Sequence, residues 1–251
     1  MYNNTEIENN VNSNPMCPPD QRDVTYTEIP LPEIVVVTPY PPRETEVAAY
    51  SKNLINGLNT EFEKSFLISI CAVESSVTNH TYKNKVKYVL DTSQERSFIR
   101  LAKTINLNEA VQIVLIQHDF SFFEGRQVDF IQFLGLLKKP VVTTFHSVLS
   151  DSDPLTKRRM LEISNASSSI IVSNPVSKEV LICDYAVPEN KIVLIMADNE
   201  PVTEYPASES KTWEGIAIAH ALLFQEISRK HFYLHFRDHV TKVETLKNNA
   251  S

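Results

Sequence analysis

Residues 34–40 read IVVVTPY: four consecutive β-branched aliphatic residues, a threonine, and then a proline that stops the run. Half-buried strands alternate apolar with polar side chains. An unbroken apolar run marks a strand buried on both faces, as when helices cover both sides of a parallel sheet. Six further runs follow: FLISICAVE (66–74), VKYVLDT (86–92), IVLIQHD (113–119), VVTTFHSV (141–148), SIIVSN (169–174) and KIVLIM (191–196).

Amphipathic segments separate most of these runs. In Thr45–Leu58 the residues Val47, Ala48, Tyr50, Ser51, Leu54, Ile55 and Leu58 recur at spacings of three and four, giving one helical stripe that faces the sheet. Similar stretches cover about 94–105, 127–137, 154–164 and 175–185, and Pro154 and Pro175 suit first-turn positions, where a missing N–H costs nothing. Repetition of strand and helix through residue 196 predicts an α/β fold, a single doubly wound, mainly parallel Rossmann-like sheet of six or seven strands spanning residues 33–196. Residues 1–32, rich in Asn, Pro and acid, read as a disordered tail. Residues 197–211 read as a linker, and 212–240 as a C-terminal helix packed back on the same domain through Trp213, Ile216, Ala217, His220, Leu223, Phe224 and Ile227, with Thr212 as its cap. Residues 241–251 are expected to fray.

The 251 residues are 42% hydrophobic and 22% charged, a globular balance, and the net charge of -7 argues against a nucleic-acid footprint or an anionic-lipid surface. The basic runs 138–139 and 157–159 read as solvated helix faces. Only four glycines occur, where average usage of ~7% would give about eighteen. Neither G-x-G-x-x-G nor G-x-x-x-x-G-K-[ST] is present, which removes the usual backbone cradles for a pyrophosphate, and no cofactor is expected. The missing G-x-S-x-G also disfavours an α/β hydrolase. Cys17, Cys71 and Cys183 are too far apart for a zinc site and suit free thiols in a reducing compartment, so a cytoplasmic protein without a membrane segment is expected. His231, His235 and His239 share one helical face, yet read as a docking face rather than as a metal site.

Ligands of open parallel sheets bind beyond the carboxyl ends of the strands, near the point where strand order reverses. That rule nominates Thr38, Arg43 and Glu44 after the first run, Glu74 after the second, Gln117, His118 and Asp119 after the fourth, His146 and Ser147 in the fifth, and Ser173 and Asn174 after the sixth. His118 and His146 stand out because imidazole titrates near neutrality and both donates and accepts hydrogen bonds.

The strings IVVVTPYPPRETEVAAYSKNLINGL (34–58), VLIQHDFSFF (114–123), KPVVTTFHSVL (139–149) and ASSSIIVSNPVSKEVLICDYAVPENKIVLI (166–195) resemble, in order and spacing, the N-terminal domain of glycosyltransferase family 4, the retaining GT-B enzymes. TWEGIAIAHALLF (212–224) is similar to the helix with which such enzymes cross back onto their first domain. The resemblance implies an acceptor-binding lobe whose first loop is Thr38–Glu46. It makes His146 the catalytic strand-end histidine that contacts the transferred sugar or acceptor. Arg43, Glu44, His118, Asp119, Ser173 and Asn174 would line the cleft, with the Arg43 fork suited to a phosphate or carboxylate.

Two departures bear on activity. The first loop reads PPRETEVA where the family usually has a glycine-bearing PPRECGIA, and MADNEP follows KIVLI where a second, nucleotide-sugar-binding lobe would begin. Two readings stay open: a glycosyltransferase-like protein inactive as an isolated chain, which binds a sugar or glycan acceptor or a partner, or a hexosyltransferase whose nucleotide sugar is held by a partner's donor lobe.

Overall fold

The computed structural model describes residues 31–75, 80–82, 85–150, 152–196 and 213–248, with side chains of the last helix described as far as His231. The expected tail up to residue 30, the linker 197–211, the Thr212 cap and the side chains of His235 and His239 lie outside the described residues.

Seven parallel strands form one sheet: β1 (Glu33–Thr38), β2 (Leu67–Glu74), β3 (Val86–Asp91), β4 (Val111–His118), β5 (Val141–Phe145), β6 (Ser169–Val172) and β7 (Ile192–Leu194). Their spatial order is β3-β2-β1-β4-β5-β6-β7, so the order reverses between β1 and β4. The α/β, Rossmann-like expectation is met at the upper strand count.

The helices are α1 (Glu46–Phe62), α2 (Glu95–Leu107), α3 (Gln127–Leu136), α4 (Pro154–Ala166), α5 (Pro175–Cys183) and α6 (Trp213–Asn248). Side-chain alternation sorts them into two layers. Val35, Val37, Val114, Ile116 and Phe145 point into one core with Phe98, Phe130, Met160 and Leu181 of α2 to α5. Ile34, Val36, Ile113, Leu115 and Val142 point into the other with Leu54 and Leu58 of α1 and Ile216, Leu223 and Phe224 of α6. Thus α2 to α5 share one face, and α6 returns to cover what α1 leaves bare on the other. Burying each large side chain of that stripe contributes about 1.5–3 kcal/mol.

Local signals account for the helix starts. Thr45 caps α1 by accepting from Ala48 N at 3.1 Å, Asp153 caps α4, and Asn174 caps α5 by accepting from Ser177 N at 2.7 Å. Beyond the expected boundary at 240, α6 stays helical to Asn248; residues 231–248 contain no glycine or proline to stop it. At the amino edge Glu33 is buried and accepts from Lys87 at 2.7 and 2.9 Å and Asn108 at 2.8 Å. Burial opposes its charge, yet these bonds outweigh it and hold its pKa below the usual value. No helix among the described residues is long and apolar enough to cross a membrane.

Candidate functional site

The reversal of strand order brings the carboxyl ends of β1 and β4 side by side, with β5 next in line. Parity then decides which strand-end residues share a face. Gln117 pairs in register with Thr144, and His118 with Phe145. Gln117 and His146 therefore lie on the face of α1 and α6, whereas His118 points to the face of α2 and α3.

On the first face, His146 Nε2 and Gln117 Oε1 are 2.7 Å apart, and His146 N donates to His118 O at 3.2 Å. With Gln117 Oε1 accepting, the ring proton sits on Nε2 and Nδ1 carries the lone pair. Burial lowers the His146 pKa to about 4 although nearby Asp119 favours the charged form, so the imidazole is neutral at pH 7. Its ring meets Tyr50 of α1 edge-on, centroids 5.0 Å apart, and Tyr50 meets Trp213 of α6 in the same way at 5.3 Å. Burial raises the Tyr50 pKa to about 12, keeping the phenol protonated. Deeper down, Thr38 Oγ1 donates to Pro39 O at 2.8 Å, which makes Ser51 the donor in its 2.6 Å bond with Thr38.

His118, expected to line the cleft, is buried in the structure at 2% exposure. Phe120, Phe123, Phe130 and Phe145 surround the ring at 4.8 to 5.8 Å, and its Nδ1 has no partner. Burial lowers its pKa to about 3, and His146 adds to the shift while Asp119 opposes it. This histidine is a neutral core group beneath the edge.

Asp119 is partly buried and accepts from Ser121 N at 2.9 Å, Ser121 Oγ at 2.6 Å and Ser147 Oγ at 3.1 Å. Burial raises its pKa, but these bonds more than offset that and the net shift is downward. An ionised carboxylate thus stands beside the neutral His146. Ser173 and Asn174 are half-buried at the end of β6, with the Asn174 amide oxygen committed to its cap.

Arg43 follows the cis Pro41–Pro42 peptide, and Glu44 beside it is exposed. Its guanidinium donates from Nη1 to Val73 O at 2.9 Å and lies 5.6 Å from the Phe122 ring centroid. The fork expected to meet a phosphate is partly occupied within the protein. At the end of β2, Glu74 is buried and its Oε1 accepts from Tyr82 Oη and lies 3.0 Å from His80 Nδ1.

Strand-end position does not nominate Tyr50, Trp213, Tyr82 or His80. Tyr50 reads in the sequence as one residue of the α1 core stripe, and only knowledge of the strand register would put it against His146.

A groove lies elsewhere: a cavity of about 300 Å3 opens at the amino edge, between Pro140, Ser169, Asn190 and Val193 on one side and Leu223 and Lys230 of α6 on the other. Since the converging polar groups and the strand-order reversal belong to the carboxyl edge, chemistry places the candidate site there. No group of three or more His, Cys, Asp or Glu residues poised to hold a metal occurs among the described residues.

No protein-family model matches the chain, and neither does any curated protein. Among solved structures it is similar in part to the UDP-GlcNAc 2-epimerase from Methanocaldococcus jannaschii, at 14% identity and a TM-score of 0.43, over 64% of this chain and 45% of that one. It is also similar to a glycosyltransferase from Rickettsia africae ESF-5, at 16% identity and a TM-score of 0.45, over 66% of this chain and 43% of that one. The chain spans less than half the length of these two proteins, and the likeness is one of fold alone.

Proposed function

We propose that this chain is a glycosyltransferase-like lobe that binds a sugar or glycan acceptor at the carboxyl edge of its sheet, around His146, and that it does not transfer sugar as an isolated chain. The reading rests on the ordered resemblance of residues 34–196 to acceptor lobes. The observation that carries it is the neutral His146 held at 2.7 Å from Gln117, beside ionised Asp119 and the Tyr50 ring. Neutral hydrogen-bonding groups, a carboxylate and an aromatic edge suit hydroxyl-rich ligands.

Diphosphates meet the opposite conditions. A phosphate-binding helix N-terminus needs free backbone N–H groups and positive charge. At the start of α1 the Ala48 N–H is taken by Thr45, Glu46 adds a negative charge in the first turn, and Arg43 is tied to Val73. Transfer from a nucleotide sugar also requires preorganised donors around the leaving diphosphate. In the alternative arrangement, a partner supplies them.

Calorimetry on the full chain with neutral mono- and disaccharides and with UDP- and GDP-sugars tests the proposal. Neutral sugars are expected to bind and to lose affinity at least tenfold in His146→Ala, a loss of about 1.4 kcal/mol or more. Low-micromolar binding of a nucleotide sugar, or turnover by the purified chain, would overturn the inactive reading.

A further inference from the structure

We propose that Trp213 and Tyr50 are positioning residues for His146, an aromatic strut through which the first turn of α6 sets the tilt of the site imidazole. The two contacts run in series: Trp213 against Tyr50 at 5.3 Å with 69° between planes, and Tyr50 against His146 at 5.0 Å with 78°. Edge-to-face contacts are directional, because the positive rim of one ring faces the negative face of the other. A tilt imposed at one end is therefore transmitted to the next ring.

Both ends of the strut are anchored. At the α6 end, a Cβ on Gly57 would lie 3.0 Å from Trp213 O and 3.2 Å from Ala217 Cβ, so α1 and α6 meet with almost no space between backbones. At the other end, Gln117 fixes His146 Nε2 and His118 O fixes its backbone N–H. The Gln117 bond defines one axis through the imidazole and leaves rotation about it free. Tyr50 is the ring contact that opposes that rotation. Any ligand or partner that displaces the start of α6 would change the orientation of His146, although Trp213 belongs to a different layer from β5.

The weight of this coupling for binding rests on the reading of His146 as a site residue, but the coupling can be measured without a ligand. The readout is the titration and the ring 15N and 1H shifts of His146 in the full chain. Asp119 and His118 are the groups whose charges interact with it, and substitutions at Trp213 or Tyr50 leave both in place. In the wild type, burial is expected to hold the His146 midpoint far below its ordinary 6.5, at about 4. Trp213→Leu and Tyr50→Leu are expected to raise that midpoint by about one pH unit or more, as water reaches a ring no longer clamped. Tyr50→Phe, which keeps the ring, and Phe224→Leu, which loosens α6 against Phe66 instead, are expected to leave it in place. Should Trp213→Leu fail to fold, Trp213→Phe keeps an aromatic edge of shorter reach and is expected to give a smaller shift of the same sign. Folded Trp213→Leu and Tyr50→Leu proteins with wild-type His146 midpoint and ring shifts would overturn the proposal, as would an equal shift in Phe224→Leu. Failure of sugar binding would leave this result untouched.

Discussion

The rings of His118 and Phe123 stack with centroids 5.8 Å apart and planes 18° apart, placing a titratable side chain inside an aromatic cluster. Its neighbour across the sheet, His146, and His220 on α6 are also held neutral by burial, at about 4 each, against about 3 for His118. For His220 the bond to Ile216 O works against that shift and only partly offsets it.

Acid lability follows. Each histidine has a folded pKa below its ordinary 6.5, so its stabilising contribution is complete above that pH and is lost as pH falls toward 3 or 4. Each costs about 1.4 kcal/mol per pH unit in that window, so the three together remove about 4 kcal/mol at about pH 5.5. Urea unfolding at pH 7 and about pH 5.5 measures the difference. Carboxylates with lowered pKa, such as Asp119 and Glu33, remain ionised over this range and do not add to it. A midpoint unchanged between the two conditions would contradict the burial of the three rings.

His118→Phe separates a core role from a site role. Removing an unpartnered Nδ1 from an aromatic cage is expected to leave stability at pH 7 within about 1 kcal/mol of wild type and to remove about a third of the acid sensitivity. Sugar affinity should fall far less than in His146→Ala. An equal loss in both variants, by calorimetry, would make His118 a residue of the cleft.

Two glycines on helices should respond with opposite sign to alanine. At Gly135 of α3 an added methyl would meet open space, so Gly135→Ala is expected to stabilise by about 0.5–1 kcal/mol through helix propensity alone. At Gly57 the same methyl would press on the backbone of Trp213, and overpacking of about 1–3 kcal/mol reverses the gain. Thermal or urea unfolding of the two variants checks the signs.

Docking of α6 is probed at Phe224, which is 2% exposed and meets Phe66 and His220 edge-on. Phe224→Ala should cost about 3–5 kcal/mol, whereas Leu222→Ala, on the exposed side of the same helix, should stay within about 0.5 kcal/mol. Equal effects in denaturant unfolding would mean that the stripe does not carry the packing.

Strand existence and the sheet class were legible because each run is short, apolar and β-branched, and the return of α6 was legible from the spacing of Ile216, Leu223, Phe224 and Ile227. The division of labour between the two histidines was not. Both close an apolar run that is buried on each face, so hydrophobicity gives no parity, and His118 and His146 look alike. Parity came only with the register that sets His118 against Phe145 and Gln117 against Thr144. Arg43 shows a second limit: an arginine in a first loop suggests an anion, but the nearby carbonyl of Val73, thirty residues on, takes its Nη1.

Amide and ring shift mapping of the labelled full chain with a neutral oligosaccharide decides whether sugar binds around His146, because the two edges of the sheet carry different residues. Saturable shifts are expected at Tyr50, His146, Ser147, Ser173 and Asn174, all at the carboxyl edge. Shifts confined to Ser169, Asn190 and Lys230, around the amino-edge cavity, would contradict it.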